Sequence, residues 1–304
     1  MSRTSAGAQN ALFASLASQL YQVARPYSTA YGKLLGITAL LTAGESPDLR
    51  LIGASLVLAF CFPLSMLVLH DSLHRAADAR AGRGRNYDHR FLIGLGVASC
   101  AVTLLVAAAA GWATLAWIVV SIGAGLAYGL LKSVPVVANI ARGGTSAGLI
   151  LTIGSMTKIT TTTLIIAGAA LLLDAAGNVW GDVRDQGVDR RAGVRTIAVL
   201  SPRLSVYTAL LLHIAAVGVL AFLSPAWSLA LPLGFIPCML PPFWGHAAYL
   251  MVKYGVVGLV ALNLAHTAAA GVAGFIVLCL MISAIPSLHV YRQLHQPKLQ
   301  EIFS

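Results

Sequence analysis

Charge is what this sequence has least of. Only 10% of its 304 residues are Asp, Glu, Lys or Arg, against roughly 25% in soluble globular proteins, which excludes an ordinary water-soluble domain. Acidic residues number ten in the whole chain, so each one is a candidate for a specific task. The four cysteines, Cys61, Cys100, Cys238 and Cys279, stand far apart inside apolar runs. That spacing supports neither a disulfide framework nor a zinc site, and they read as packing residues. Outer-membrane barrels need segments of about 10 alternating residues, and the runs here do not alternate. Residues 1–25 have no unbroken apolar core followed by a small-residue cleavage site, so a cleaved signal peptide is not expected.

What is present is apolar length: 58% hydrophobic residues and a mean hydropathy of +0.82. About 20 apolar residues cross a bilayer as a helix. Cutting the runs at charges and Gly/Pro clusters gives nine expected spans, at 27–44, 51–69, 91–110, 113–131, 137–156, 162–181, 204–223, 226–242 and 255–285. The expected fold is an all-α, nine-helix integral membrane bundle over 27–285, with a polar tail at 286–304. Within 1–26, Leu12, Leu16, Leu20 and Val23 share one helical stripe, as in a helix lying on a membrane surface.

The Lys/Arg bias orients the bundle. With the N-terminus inside, fourteen basic residues fall on the inner side, Lys253 among them, and four on the outer side. The chain is therefore expected in the inner, cytoplasmic membrane with its N-terminus cytoplasmic and its C-terminus outside. The net charge of +10 is mainly this orientation signal, and nucleic-acid binding has no support beyond it.

Two polar segments interrupt the pattern, 70–90 and 182–203, and both fall on the expected cytoplasmic side. They also resemble each other. Asp71-Ser-Leu-His74-Arg-Ala-Ala-Asp78-Ala-Arg-Ala-Gly82 aligns without gaps on Asp182-Val-Arg-Asp185-Gln-Gly-Val-Asp189-Arg-Arg-Ala-Gly193, as an internal duplication would produce. At about 100° per residue, His70, His74, Asp78 and Asp71 share one helix face. So do Asp174, Asn178, Asp182, Asp185 and Asp189. Stacked carboxylates repel, and a charge at membrane depth is costly, so a compensating partner is required. Oxygen ligands of this kind suit Mg²⁺, which takes one or two carboxylates and completes its shell with water and substrate phosphates. The competing structural reading is a pair of solvated helix ends with arginines neutralising aspartates.

The stretch Asp182-Val-Arg-Asp185-Gln-Gly-Val-Asp189, followed by Gly193-Val-Arg195-Thr196, resembles the second aspartate-rich motif of the UbiA superfamily of intramembrane prenyltransferases. Arg25-Pro26, Tyr128-x3-Lys132 and Asn86-x3-Arg90 agree with that family in order. The first motif departs from it: His70 stands where the family has Asn, and His74 replaces the middle Asp. The resemblance implies transfer of a prenyl group from a prenyl diphosphate to an acceptor, aromatic or otherwise nucleophilic, with Mg²⁺ assisting diphosphate departure and an allylic carbocation following. It implies Asp71, Asp78, Asp182, Asp185 and Asp189 as metal ligands and Asn178 as a supporting polar ligand. Arg25, Arg90 and Lys132 would clamp the diphosphate, with Arg195 in a lesser role, and His70 or His74 would serve as altered ligand or base. Two other functions stay open: a terpene cyclase of the same superfamily, needing no acceptor, and a non-catalytic transporter or binder of an anionic lipid.

Arg142 lies inside the fifth expected span beside Asn139. An intramembrane arginine points to an interior site, here either a contact to diphosphate or a structural pair with Asp174. Lys33 reads as snorkelling to the interface. His213 and His266 read as histidines satisfied by neighbouring helices. Tyr21, Tyr27, Tyr128 and Trp180 read as interfacial anchors, with Tyr128 also a substrate contact through its match to the family motif.

Overall fold

The computed structural model describes residues 26–44, 46–80, 89–268 and 270–282. The expected surface helix, Arg25, Asn86 and the polar tail lie outside the described residues. Among those residues all regular structure is helical. The order is α1 (Pro26–Leu41), α2 (Leu49–Arg80), α3 (His89–Ala110), α4 (Trp112–Leu130), α5 (Val137–Gly154), α6 (Thr161–Arg191), a single turn at Ile197–Leu200 and α7 (Pro202–Ala221). A 3₁₀ helix (Pro225–Met239) and α8 (Pro242–Thr267) follow, then α9 (Gly271–Ile282). Six of these helices are long and apolar enough to cross a membrane.

The core is one apolar cluster in which Leu34, Leu40 and Leu41 of α1 meet Phe62 of α2, Ile150 and Ile153 of α5, Leu173 of α6 and Val260 of α8. Close approach of α5 to its neighbours depends on small residues, as is usual between membrane helices. A Cβ at Gly143 would overlap the Leu171 carbonyl of α6, and one at Gly148 would overlap Ser121 of α4. α3 and α4 form an outer wall, turning Val97, Leu105, Trp112, Val119 and Val120 away from the core. A single residue, Gly111, joins them at φ 130°, a backbone region that is open almost only to glycine.

At one end of the bundle, hydroxyl hydrogen bonds tie helix ends together. Thr42 and Thr163 share a hydroxyl hydrogen bond of 2.6 Å, Thr160 donates to the Thr42 carbonyl at 3.1 Å, and Ser46 donates to the Ala268 carbonyl at 2.9 Å. Thr160 and Thr163 also form a capping box at the start of α6, each satisfying an orphan backbone N–H. Both α2 and α6 start at this end and run the same way, so their polar C-terminal segments emerge together at the other end. The 31 residues of α6 span about 46 Å at 1.5 Å each, well beyond the ~30 Å of a hydrocarbon core. α6 stops at Gly193, φ 71°, where Val194 N–H reaches the Asp189 carbonyl and Gly193 N–H that of Arg190, a Schellman closure.

Several sequence expectations need correction. The eighth expected span is a 3₁₀ helix, not an α-helix, and it carries Pro232 and Pro237, which cannot donate to an α-ladder. Its 15 residues still extend about 30 Å at 2.0 Å each. The ninth, expected at 255–285, is instead α8, which runs unbroken from Pro242 to Thr267, and the chain turns before α9. Lys253 is not a residue of the inner flank: it is 7% exposed in the middle of α8. Trp180 is no interfacial anchor either, being buried against Val179, Ile197, Ala209 and Tyr249. His213 does find a neighbouring partner, its Nε2 lying 3.1 Å from the Ala230 carbonyl, whereas His266 is exposed in the last turn of α8. Cys61 and Cys100 are half-buried, but Cys238 and Cys279 are exposed and pack no core.

Candidate active site

The acidic face of α6 supplies the site. Nearest the open end, Asp189 is 2% exposed and lies 3.6 Å from Lys132 Nζ, which follows α4. Asp182, 9% exposed, is hydrogen-bonded by Asn139 and faces Asp189, Asp185 and Lys132. Asp185 is held by its own neighbour: Arg184 donates through Nε at 2.8 Å and through Nη2 at 2.7 Å, the two-pronged geometry that suits guanidinium and carboxylate. Arg184 also donates to His246 Nδ1 on α8 at 3.0 Å. One turn deeper, Asn178 donates to the Asn139 side chain and accepts from Tyr128 Oη at 3.1 Å.

Tyr128 is the keystone between the two polar segments. His70 of α2 stacks on its ring, centroids 5.2 Å apart and planes within 17°, while the Arg142 guanidinium lies 5.9 Å from the ring centroid. The first motif therefore meets the second through α4 and α5. Asp71 is half-buried beside His70. His74 and Asp78 continue the same helix to Arg80, their side chains outside the described residues. Arg90, at the start of α3, is exposed, as is Arg195, whose neighbour Thr196 caps the following turn by accepting from Val199 N–H.

Two turns below Asp182 sits a second polar group. Asp174 accepts from Lys253 Nζ at 2.5 Å and from Ser146 Oγ at 2.7 Å, with Arg142 Nε at 3.9 Å. Lys253 also caps the face of the Tyr31 ring at 4.1 Å. The pairing expected between Arg142 and Asp174 exists, but Lys253 is the closer partner. Lys253, Ser146, Arg184 and His246 were not singled out as site residues by the sequence. The signal for Lys253 was there: it is the sole Lys or Arg between 204 and 291, and a carboxylate at the depth of Asp174 demands a cation.

Among the described residues no three His, Cys, Asp or Glu side chains gather around a common point. The groups that do converge, the carboxylates of Asp182 and Asp189, offer hard oxygens. Mg²⁺ asks for one or two carboxylates and leaves the rest of its shell to water and phosphate, so this donor set fits Mg²⁺.

Neither a protein-family model nor a curated protein matches the chain. Solved structures do. A UbiA homologue from Archaeoglobus fulgidus bound to GPP and Mg²⁺ superposes with a TM-score of 0.58 at 15% identity, over 86% of this chain and 98% of that one. A digeranylgeranylglyceryl phosphate synthase gives 0.57 at 16% identity, over 90% and 99%. The apo UbiA homologue from Aeropyrum pernix K1 gives 0.57 at 14%, over 86% and 97%. This protein has the UbiA fold, along nearly the whole length of each of these chains.

Proposed function

We propose that the protein is an intramembrane prenyltransferase that moves a prenyl group from a prenyl diphosphate to a nucleophilic acceptor. The observation that carries this reading is the convergence of His70, Tyr128, Asn139, Lys132 and the acidic face of α6 at one end of an apolar bundle. That end is read as cytoplasmic from the Lys/Arg bias. Two of the structural neighbours hold GPP or DMAPP together with Mg²⁺, in keeping with a phosphorylated isoprenoid here.

Asp182 and Asp189 are the residues to hold Mg²⁺, with Asp71 and Asp185 as further carboxylates at the same mouth and Asp78 a further ligand by its place in the motif. When bound, the metal supplies positive charge that offsets the negative charge developing on the departing diphosphate. Lys132, beside Asp189, would hydrogen-bond diphosphate oxygens, and Arg184 is placed to do the same beside Asp185. Asn139 orients Asp182 and, through Asn178 and Tyr128, fixes His70 at the rim. Either histidine of the departed first motif can accept the proton that the acceptor loses. Apolar walls exclude water from the cationic allyl fragment, which water would otherwise capture.

The test is diphosphate release by the purified protein from prenyl diphosphates of several lengths, with and without Mg²⁺ and an aromatic acceptor. Mg²⁺-dependent release coupled to a prenylated acceptor is the expected result. A cyclic product formed without acceptor would assign the site to a cyclase, and no release under any combination would leave the binder reading.

A further inference from the structure

α8 meets the acidic helix twice. Lys253 reaches Asp174 in the interior, and seven residues earlier His246, 7% exposed, reaches the charged end of α6. Seven residues fall about 20° short of two full turns, so one stripe of α8 serves both contacts. Gly181 gives the second contact its room: His246 Nε2 stands 3.6 Å from the point to which a Cβ there would project. His246 Nδ1 lies 3.0 Å from Arg184 Nη1. A guanidinium has only donors and keeps its proton, so Nδ1 is the acceptor and the ring is neutral, with its hydrogen on Nε2.

Arg184 is thereby gripped from two helices. Its Nε and Nη2 donate to the two oxygens of Asp185 at 2.8 and 2.7 Å, and its Nη1 donates to α8. Adjacent residues on a helix do not face each other, so the Arg184 side chain has to fold back around α6 to reach Asp185. The acceptor on α8 supplies the hold that keeps it folded back.

We propose that His246 is a positioning residue for the donor's diphosphate, fixing the Arg184 guanidinium at the mouth beside Asp185. This rests on the prenyltransferase reading, in which Arg184 donates to diphosphate oxygens. An arginine side chain has much rotamer freedom to lose, and a diphosphate that had to order it would bind more weakly for doing so. His246 moves that ordering from the binding step to folding. The contact asks for an acceptor at the Nδ1 position. Asparagine keeps one in its Oδ1, whereas phenylalanine and leucine have none.

Calorimetric titration of the detergent-purified chain with geranyl S-thiolodiphosphate, a slow-leaving analogue of a prenyl diphosphate, in saturating Mg²⁺ tests the proposal. His246→Phe and His246→Leu should each raise Kd about three- to tenfold, the range for ordering one long side chain, and His246→Asn should stay within about twofold of the wild type. Arg184→Gln should weaken binding at least as much as His246→Phe. Adding His246→Phe to it should bring no further loss, as expected of a residue that acts through another. Additive losses in the double variant overturn the proposal, and so does wild-type affinity in both His246→Phe and His246→Leu. A comparable loss in His246→Asn overturns it too, by marking a packing role, and that arm still judges the proposal if the apolar variants do not fold. Absence of binding to the wild type refutes the prenyltransferase reading itself, whereas intact wild-type binding that ignores the His246 substitutions refutes only the positioning role.

Discussion

Asp174 and Lys253 show how a charge survives at the depth of the lipid chains. Each is almost fully buried, and each is held chiefly by the other. Removing one partner strands the other, a loss of about 3–5 kcal/mol in buried pairs, whereas replacing both with apolar residues of similar volume is often neutral. Lys253→Met should therefore unfold the protein at markedly lower temperature or denaturant, and Asp174→Leu in the same chain should restore most of the loss. At the mouth, Asp182→Asn and Asp189→Asn should keep the fold and lower Mg²⁺-dependent diphosphate release about a hundredfold or more, the scale of one lost charge contact to a transition state. Mouth residues were legible in the sequence because acidic side chains are so rare there and recur at helical spacing. The Asp174 group was only half legible. Its cation comes from 79 residues away, and a lysine in an apolar run looks like an interface until its partner is seen. Tyr128 was read two ways for a related reason: an aromatic residue near a span end fits both an anchor and a stacking platform, and only the structure shows the His70 ring and the Arg142 guanidinium packed against it.

At the scale of elements, helix type and length followed from apolar run length, since within lipid every backbone group must be satisfied inside its own segment. The seven windows up to 223 match α1 to α7, and the polar motifs lie on the helix faces that their spacing implies. The windows after 223 went astray where proline and a buried charge disturb the pattern. Two local devices carry much of the remaining specification. Gly111→Ala should cost about 1–3 kcal/mol, the strain of a side chain in a glycine-only backbone region, and should show as a lower unfolding midpoint with retained helical circular dichroism. Thr160→Ala removes the cap of α6 and one strand of the stitching to Thr42. It should cost about 0.5–2 kcal/mol in the same measurement.

For the whole molecule, the fold places both motif-bearing helix ends at one end of the bundle, and the Lys/Arg bias of the sequence predicts that end to be cytoplasmic. A chain with its native cysteines replaced by serine offers the check. A cysteine at Gln186 should react with a membrane-impermeant maleimide only from the cytoplasmic face, and one at Ser46 only from the opposite face. The reverse pattern would invert the assignment without touching the fold.

The threonine and serine stitches at the Ser46 end also bear on traffic. Tied together there, the ends of α1, α2, α6 and α8 are expected to move as one, so cargo and finished product are expected to share the doorway at the rim or to slip out sideways between the staves, as in a crucible rather than a conduit.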